Sequence, residues 1–348
     1  MTPSMKGGES QRANRAGGWR VAVIGAGSWG TALALHAHRS GHEVTLWARR
    51  EQLAQQIERA GENVAYLPGQ ELPAALRATA DAGAALEGAD CVVSVVPSRY
   101  LRAVWGEMQA HFPAGAHLVS ATKGLEYDTF LRMSEVLREY VGDRAASVSA
   151  LSGPSFALEL AEQHPTAVTL GCDDLESAFA VQRHLSHGAL RVYSNEDIVG
   201  VELGGAIKNV IALAAGIVDG LGLGTNSRAA LITRGLKEMA RLSEARGAQS
   251  ATLMGLAGLG DLVLTCTGAL SRNRHVGLKL AEGKRLEEIE AEMQMVAEGV
   301  ETVRAARQLA ALSGLEMPIT TQVHAVLYEG RDPHSAIDDL MARALVQE

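Results

Sequence analysis

The feature that most constrains this chain is a glycine-rich turn between a short apolar run and a helical segment. The run "RVAVI" begins at Arg20, and the turn "GAGSWG" after it contains Gly25, Gly27 and Gly30. The helical segment ends near Gly41, and a second apolar run, "EVTLWA", follows. A strand, a G-x-G-x-x-G turn, a helix and a second strand, in this order, predict a dinucleotide-binding βαβ unit.

In such a unit each glycine has its own role. We expect Gly25 to permit the tight turn, Gly27 to let the backbone approach a pyrophosphate, and Gly30 to let the helix pack against the strand. The N–H groups of Ser28 and Trp29, at the start of the helix, are candidate donors to the same anion. The alternative is a turn with a structural role only.

The second strand candidate ends in "WARR", where an NAD-specific site usually has an acidic residue that binds the ribose 2′-hydroxyl. Arg49 and Arg50 stand there instead and would favour a 2′-phosphate. They could also be a solvated pair that starts the next helix. NADP is therefore favoured as the cofactor, and NAD stays open.

The two halves of the chain differ in pattern. Apolar runs alternate with helical segments from Arg20 to about Tyr193, which is typical of a mostly parallel sheet covered by helices. After Asn195 the strand pattern stops, and the remaining segments have helical periodicity. The predicted strands are "RVAVI", "EVTLWA", "DCVVSVVP", "HLVSAT", "SVSALS", "TAVTLG" and "LRVY".

We therefore predict an α/β fold whose N-terminal part is a Rossmann-like, doubly wound, mostly parallel sheet, followed by an all-helical C-terminal domain. The predicted ranges are a disordered tail over 1–19, a dinucleotide-binding domain over 20–193, and a helical substrate and catalytic domain over 194–348.

Composition excludes several classes of protein. The net charge of −8 argues against nucleic acid as a partner. Three widely spaced cysteines predict reduced thiols rather than a disulfide framework. The apolar run "VIALAAGIVDGLGLG" is interrupted by Asp219 and several glycines, so we expect no stable insertion into a membrane.

The most informative segment is "GVELGGAIKNVIALAAGIVDG", in which Lys208 and Asn209 interrupt an otherwise apolar or small-residue helix. A buried lysine is costly unless it is paired or used, and burial lowers its pKa. Gly204 and Gly205 lie one turn earlier on the same face, and we expect them to leave room for a small ligand. The alternative is a lysine whose amine reaches the surface.

Two further segments follow predicted strands, at the sheet edge where ligands bind. In "SATKGLE", Lys123 could meet a substrate anion or be a solvated loop lysine. In "LSGPSFALEL", Gly153 and Pro154 set a turn that opens a helix at Ser155. Its N–H groups could bind an anion or a ribose, or the turn could be a plain connection with a serine cap.

The segment "GLAGLGDLVLTCTGALSRNRHVG" predicts a glycine-rich loop carrying Asp261. Ser271 then has the position of an N-cap, with Arg272 and Asn273 in the first helical turn. A helix N-terminus with a guanidinium and an amide suits a phosphate, although a capped surface helix has the same pattern. Asp261 could hold Lys208 or accept a substrate hydroxyl.

The ordered motifs "GAGSWGTALA", "ATKGLE", "SGPSFA", "GGAIKNVIALAAGIVDG", "GLAGLGDLVLTCT", "SRNR" and "VAEGVETV" resemble those of bacterial-type NAD(P)-dependent glycerol-3-phosphate dehydrogenases, from about Arg20 to the last helices. The resemblance implies that dihydroxyacetone phosphate and sn-glycerol 3-phosphate are interconverted with NADP or NAD, for glycerophospholipid synthesis. It also implies a cytoplasmic homodimer, with no metal in the site.

By the same resemblance, Lys208 is the general acid and base. The implied substrate contacts are Lys123, Gly153, Ser155, Lys208, Asp261, Ser271, Arg272 and Asn273. The implied cofactor contacts, besides the glycines Gly25, Gly27 and Gly30, are Ser28, Trp29, Arg49, Arg50, Lys123, Ala157, Arg272, Val296 and Glu298. Without the resemblance, Glu298 is only a charge at a helix start.

Two rival functions remain at this point. A dehydrogenase of the 3-hydroxyacid or 6-phosphogluconate kind also combines a Rossmann-like domain with a helix-borne lysine, but its substrate is a carboxylate. A non-catalytic NADPH-binding regulator would keep the glycine turn, yet it has no need for Lys208, Asp261 and Arg272 together.

Overall fold

The computed structural model describes residues 18–293 and 297–344 of the chain. The predicted disordered tail lies outside the described residues except for Gly18 and Trp19. The two described ranges contain one mixed sheet and a large group of helices that follows it.

The described residues form a sheet of eight strands, all parallel to their neighbours except β6 and β7, which are antiparallel. The order across the sheet is β3-β2-β1-β4-β5-β6-β7-β8. The strands are β1 (Arg20–Ile24), β2 (Glu43–Trp47), β3 (Arg77–Thr79), β4 (Cys91–Ser94), β5 (His117–Ser120), β6 (Ser147–Ser152), β7 (Thr166–Gly171) and β8 (Leu190–Asn195).

Each of the seven predicted runs contains a strand, so the predicted fold class is confirmed. The short strand β3 was not predicted, because "RAT" has no apolar run to mark it. Both faces of β1 are buried: Val21 and Val23 pack into one layer, and Ala22 and Ile24 into the other. Parallel strands covered on both faces lose the apolar–polar alternation of a half-exposed sheet.

The helices among residues 18–195 lie on the two faces of the sheet. They are α1 (Ser28–Arg39), α2 (Glu51–Ala60), α3 (Ala82–Leu86), α4 (Ser98–Met108), α5 (Met133–Val141), α6 (Ala157–Ala161) and α7 (Leu175–Leu185).

After β8 the described chain is helical. Its helices are α8 (Ile198–Gly220), α9 (Gly224–Ala245), α10 (Ser250–Leu253), α11 (Asp261–Thr267), α12 (Arg272–Ala281), α13 (Leu286–Glu292), α14 (Glu298–Leu312), α15 (Pro318–Tyr328) and α16 (Pro333–Met341).

The predicted glycine-rich loop before Asp261 is wrong, because Leu256–Gly260 forms a π-helical turn that leads directly into α11. A Cβ on Gly258 would lie 2.0 Å from the carbonyl oxygen of Leu253. Glycine here permits close backbone packing within a helical segment. Because glycines are usually typical of loops, the pattern predicted a loop instead.

Helix α8 is the centre of the helical region. Its N-cap is Asp197, whose carboxylate accepts the N–H of Gly200 at 2.8 Å. Nearly all of its residues are buried, with α9, α11, α12 and α14 around it. On its other side it lies against β6 and β7, and a Cβ on Gly171 would be 2.8 Å from the Cα of Ile198.

The sequence predicts no stable insertion into a membrane, because Asp219 and several glycines interrupt the apolar run of α8. Two segments of the described chain are long and apolar enough to cross a bilayer, Ile198–Gly220 and Ser250–Thr267. The most apolar window of the first is 94% buried inside the protein. A buried core helix passes the same test, so this finding is weak evidence for a membrane span.

Helices α8 and α12 touch along their backbones. A Cβ on Gly216 would lie 2.1 Å from the carbonyl oxygen of Arg274, and a Cβ on Gly277 would lie 2.1 Å from that of Leu213. Two helices approach this closely only where neither has a side chain at the contact. The glycines therefore set the distance between α8 and the helix that begins with Arg272.

The three cysteines are buried free thiols in different parts of the molecule. Cys91 is in β4, Cys172 follows β7, and Cys266 is in α11. Burial raises the pKa of the Cys91 thiol and of the Cys266 thiol to about 12.

Candidate active site

The glycine turn has two closed positions and one open position. Gly25 has a φ of +122°, and a Cβ there would lie 2.8 Å from the carbonyl oxygen of Val95. A Cβ on Gly30 would lie 1.8 Å from the carbonyl oxygen of Gly25, whereas a Cβ on Gly27 would meet no atom within 4 Å. The space beside Gly27 fits the pyrophosphate of a dinucleotide, and it lies where β1 is flanked by β2 and β4, the switch point of the sheet.

A second segment braces this turn. Asn63 donates from its side-chain amide to the carbonyl oxygen of Ala26 at 3.0 Å and to the hydroxyl of Thr31 at 2.8 Å. The Ser28 hydroxyl donates to the carbonyl oxygen of Tyr66 at 2.5 Å. This support could not be predicted, because "NVAYLPG" has no motif that points to the turn.

Arg49 and Arg50 are both exposed after β2. The guanidinium carbon of Arg49 is 5.3 Å from the ring centroid of Tyr100, and Arg50 Nη2 donates to the Tyr66 hydroxyl at 3.1 Å. Arg50 is also the N-cap residue of α2, as the alternative interpretation expects. Both arginines can meet a phosphate at the adenosine end of a cofactor, and their preference for NADP stays a prediction.

On the other side of the sheet edge, one carboxylate holds two lysines. Asp261 Oδ1 is 3.0 Å from Lys208 Nζ, and Asp261 Oδ2 is 2.6 Å from Lys123 Nζ. Lys123 Nζ also donates to the carbonyl oxygen of Gly153 at 3.2 Å. The side chains of Asp261 and Lys208 are 2% and 6% exposed, so the alternative in which Lys208 reaches the surface is wrong.

Burial lowers the pKa of Lys208 to about 8, while the charge of Asp261 partly opposes this shift. Lys208 Nζ donates to the Thr265 hydroxyl at 2.7 Å, and that hydroxyl donates to the carbonyl oxygen of Asp261 at 2.6 Å. Asp261 and Thr265 are one helical turn apart in α11. Near neutral pH this amine can therefore both hold and release a proton.

The expectation that Gly204 and Gly205 leave room for a ligand was wrong. A Cβ on Gly205 would lie 2.3 Å from the Ser152 hydroxyl, and a Cβ on Gly204 would lie 2.7 Å from the carbonyl oxygen of Ala257. Protein atoms already occupy this space, so these glycines bring α8 close to β6 and to the π-helical turn. Lys208 is thereby brought beside the strand ends.

The strand-to-helix connection after β6 also differs in detail from the prediction. Helix α6 begins at Ala157 rather than Ser155, and its N-cap residue is Phe156. Gly153 has a φ of +149°, and Phe156 is still extended, so the helix begins two residues later than predicted. The Ser155 hydroxyl donates to the carbonyl oxygen of Gly153 at 3.0 Å, which puts Ser155 beside Lys123.

The predicted N-cap of α12 is confirmed, because the Ser271 hydroxyl accepts the N–H of Arg274 at 3.2 Å. Asn273 in the first turn donates to Asn209 Oδ1 at 2.9 Å and accepts the N–H of Gly299 at 2.9 Å. Its amide thus joins α12 to α8 and to the start of α14. Asn209 was noticed in the sequence but given no role there.

Glu298 lies at the start of α14, close to the cationic groups. Burial raises the pKa of its carboxyl, and the positive charges of Arg272, Lys123 and Lys208 oppose this shift. The carboxyl also interacts with the backbone N–H of Ser98 at the start of α4. The residues implied for cofactor and for substrate therefore share one electrostatic environment. Val296 lies outside the described residues.

The residues assembled here come from both halves of the chain. This edge of the sheet combines an open glycine turn, the buried Lys208 and the partly buried Lys123 on one carboxylate, and the first turn of α12. This arrangement can bind a dinucleotide, attract a small anion and transfer a proton. Three further residues support the site by hydrogen bonds to residues predicted for it: Thr265, Asn209 and Tyr66. Of these, Thr265 could have been recognised from the sequence if residues 261–267 had been predicted as a helix.

Two family models match the chain. The model described as the NAD-dependent glycerol-3-phosphate dehydrogenase N-terminus matches residues 20–178, and the model described as its C-terminus matches residues 197–338. The glycerol-3-phosphate dehydrogenase [NAD(P)+] of Syntrophotalea carbinolica is 52% identical over 329 residues, which cover 94% of this chain and 99% of that relative.

A second relative with the same name, from Nitratidesulfovibrio vulgaris, is 50% identical over 94% of this chain and 100% of its own length. Among solved structures, the glycerol-3-phosphate dehydrogenase of Coxiella burnetii superposes with a TM-score of 0.89 at 42% identity. That match covers 94% of this chain and 99% of the other. These similarities extend over both the sheet and the helical region.

Proposed function

The chain belongs to the NAD-dependent glycerol-3-phosphate dehydrogenase family, and we propose that it reduces dihydroxyacetone phosphate reversibly to sn-glycerol 3-phosphate with NADPH or NADH. The observation that carries this proposal is the pairing of buried Lys208 with Asp261, beside the cationic Lys123, where the sheet meets the helical region. A ketone reductase needs such a proton donor, and a phosphorylated substrate needs positive charge near it.

The glycine turn is suited to the dinucleotide. The open space beside Gly27 and the N-terminus of α1 support a pyrophosphate there, with Ser28 and Trp29 in the first turn. Arg49 and Arg50 support the adenosine end, and Ala157, Glu298 and Val296 are proposed contacts of the remainder. The bound nicotinamide supplies or accepts the hydride.

Lys208 is the proposed general acid in the direction of reduction. Its ammonium would donate a hydrogen bond to the ketone oxygen, stabilise the negative charge that develops there, and deliver the proton. In the reverse direction the neutral amine would accept the proton of the glycerol hydroxyl. Asp261 and Thr265 hold the amine in place from one helix face.

The substrate phosphate is proposed to meet Arg272, Ser271 and the first turn of α12. A guanidinium and a helix N-terminus are both strong partners of a phosphate. Lys123, Gly153 and Ser155 form the other proposed wall of the pocket. Because both ends of the Asn273 amide already have protein partners, its side chain is better suited to hold this turn than to bind substrate.

Several further properties follow from the family and remain part of the proposal. Residues 20–193 would bind the cofactor, and residues 194–348 would supply most of the catalytic groups. The protein would act as a homodimer in the cytoplasm and supply the glycerol backbone of phospholipids. Arg49 and Arg50 support NADP as the favoured cofactor, with NAD also used.

The test is a substrate panel with the purified protein. We expect NADPH oxidation with dihydroxyacetone phosphate and much slower oxidation with unphosphorylated dihydroxyacetone. In the reverse direction we expect no reduction of NADP+ above background with 3-hydroxy acids. Turnover of a hydroxy acid but not of the phosphorylated ketone would favour the rival dehydrogenase. Binding of NADPH without turnover of any substrate would favour the non-catalytic regulator.

A further inference from the structure

A partly buried ion pair ties α12 to the far end of α8. Arg274 Nε donates to Asp219 Oδ2 at 2.7 Å, and the side chains of Arg274 and Asp219 are 20% and 11% exposed. Arg228 in α9 donates to the other oxygen of the same carboxylate at 2.9 Å. Such shielding from solvent makes this pair more directional and less screened than a surface pair.

The glycine contact between the two helices sets their distance but not their register. At Gly216 and Gly277 the two backbones meet with no side chain between them, and apolar side chains of both helices pack in the same core around them. Apolar packing is not directional, so hydrogen-bonded polar contacts fix the rotation of the helix end more closely. The first turn of α12 has two such contacts with α8, Asn273 with Asn209 and Arg274 with Asp219.

These two contacts together orient the backbone from which the Arg272 side chain projects. Successive residues of an α-helix are separated by about 100° around its axis. When the side chains of Asn273 and Arg274 are both held, the rotation of the first turn is set, and with it the direction of the preceding residue. That residue is Arg272, whose charge already acts on Glu298 in the site.

We propose that Asp219 is a positioning residue for recognition of the substrate phosphate. By holding Arg274 it holds the N-terminus of α12 and the guanidinium of Arg272 at the place where the phosphate binds. Asp219 itself does not touch the substrate. The proposal rests on the function proposed above, in which Arg272 binds the phosphate of dihydroxyacetone phosphate.

The experiment uses Asp219→Asn, which keeps the size of the side chain and removes its charge. We expect the KM for dihydroxyacetone phosphate to rise by about 5- to 20-fold with kcat within about threefold, because binding geometry is lost and the proton donor is not. The KM for NADPH should not change. The preference for dihydroxyacetone phosphate over dihydroxyacetone in kcat/KM should fall by the same factor as the KM rises.

Two variants act as controls. Arg228→Met removes the other partner of the same carboxylate but keeps the Asp219–Arg274 pair, so its phosphate preference should equal that of the parent. Arg274→Gln should lose as much preference as Asp219→Asn, and the double variant should lose no more than either one, since all three break the same contact. If Asp219→Asn does not fold, Arg274→Gln carries the test.

Thermal unfolding of each variant separates positioning from plain stabilisation. The proposal is overturned if Asp219→Asn, or Arg274→Gln in its place, unfolds at a lower temperature but keeps the parental phosphate preference within twofold. It is also overturned if the double variant loses the product of the two single losses. A parent protein that does not prefer the phosphorylated ketone refutes the proposed function instead, and the positioning proposal falls with it.

Discussion

The two sides of the proposed site are built by different means. The cofactor side consists of backbone and open space: Gly27 has no atom within 4 Å of its missing Cβ, and Arg49 and Arg50 are exposed. The lysine side is a closed polar network in which Asp261 holds both Lys208 and Lys123. Groups on the cofactor side can be substituted one at a time, whereas the charged groups on the lysine side are hydrogen-bonded to one another, so a change in one affects the others.

This difference leads to different expectations for substitutions. On the open side, a lost contact should weaken the binding of one ligand and leave turnover at saturation nearly unchanged. On the closed side, a lost group should reduce turnover, because the remaining groups are buried charges placed for a single reaction. Substitutions on both sides therefore test whether the two sides differ in this way.

The largest expected effect is that of Lys208→Ala. Loss of the proton donor and of the charge facing the forming alkoxide should lower turnover by roughly 10²–10⁴-fold. NADPH affinity should stay within about twofold, because the nucleotide contacts lie on the open side. The measurements are steady-state turnover and NADPH titration on the same preparation.

Lys284→Ala is the matched control, because Lys284 is a partly exposed lysine whose only salt-bridge partner among the described residues is Glu292. It should retain parental turnover. If Lys208→Ala also retains turnover within a few-fold, Lys208 is a structural lysine and the closed side has no catalytic role.

An intermediate effect is expected for the double substitution Arg49→Gln and Arg50→Gln. Loss of charge-assisted hydrogen bonds to the 2′-phosphate should cost on the order of 1–3 kcal/mol in NADPH binding. NADH binding should change little, and turnover at saturating cofactor should be retained. The measurement is the ratio of the KM values for NADPH and NADH.

Arg59→Gln changes an exposed arginine of α2 and should leave that ratio as it is in the parent. Equal losses with both cofactors in the double variant would show that Arg49 and Arg50 do not read the 2′-phosphate. A loss of turnover instead of affinity would contradict the difference between the two sides.

The smallest expected effect is that of pH. Because burial lowers the pKa of Lys208 to about 8, its ammonium is depleted as the pH rises through that value. Ketone reduction, which needs the ammonium, should fall by about tenfold per pH unit above it. Glycerol phosphate oxidation, which needs the neutral amine, should rise by about tenfold per pH unit below it and level off above it. The measurement is kcat/KM in both directions between pH 6.5 and about 9.5.

Asp261→Asn removes the charge that opposes the lowering of the Lys208 pKa, so both pH profiles should move to lower pH. Profiles that stay flat across the range, or that move to higher pH in this variant, would show that another group transfers the proton.

The sequence predicted the open side of the site more completely than the closed side. The roles of Gly25 and Gly30 follow from local geometry, since a strand, a turn and a helix succeed one another within a short stretch. The pairing of Lys208 with Asp261 joins residues 53 positions apart. Lys208 could be recognised as costly in an apolar helix, but its partner could only be offered as one of two roles.

The errors have a common physical origin. Gly204, Gly205 and Gly258 were taken as signs of a cavity or a loop, yet each removes a side chain where backbone must pack closely. A glycine can be required for its flexibility or for its small size, and the sequence does not show which. Only the long-range contacts of the folded chain distinguish the two. The missed π-helical turn also concealed that Asp261 and Thr265 share one helix face.

The buried cysteines let local opening of this protein be measured without introducing a probe residue. At a pH near 8 a thiol whose pKa is about 12 is almost entirely protonated, and a buried one meets a thiol-specific reagent only when its surroundings open. Cys91 would time the opening of the sheet's centre, and Cys266 the opening of the helix that carries Asp261. The reaction rate of Cys266, followed by mass spectrometry, thus records how readily the helix that carries Asp261 opens and how far each ligand slows that opening.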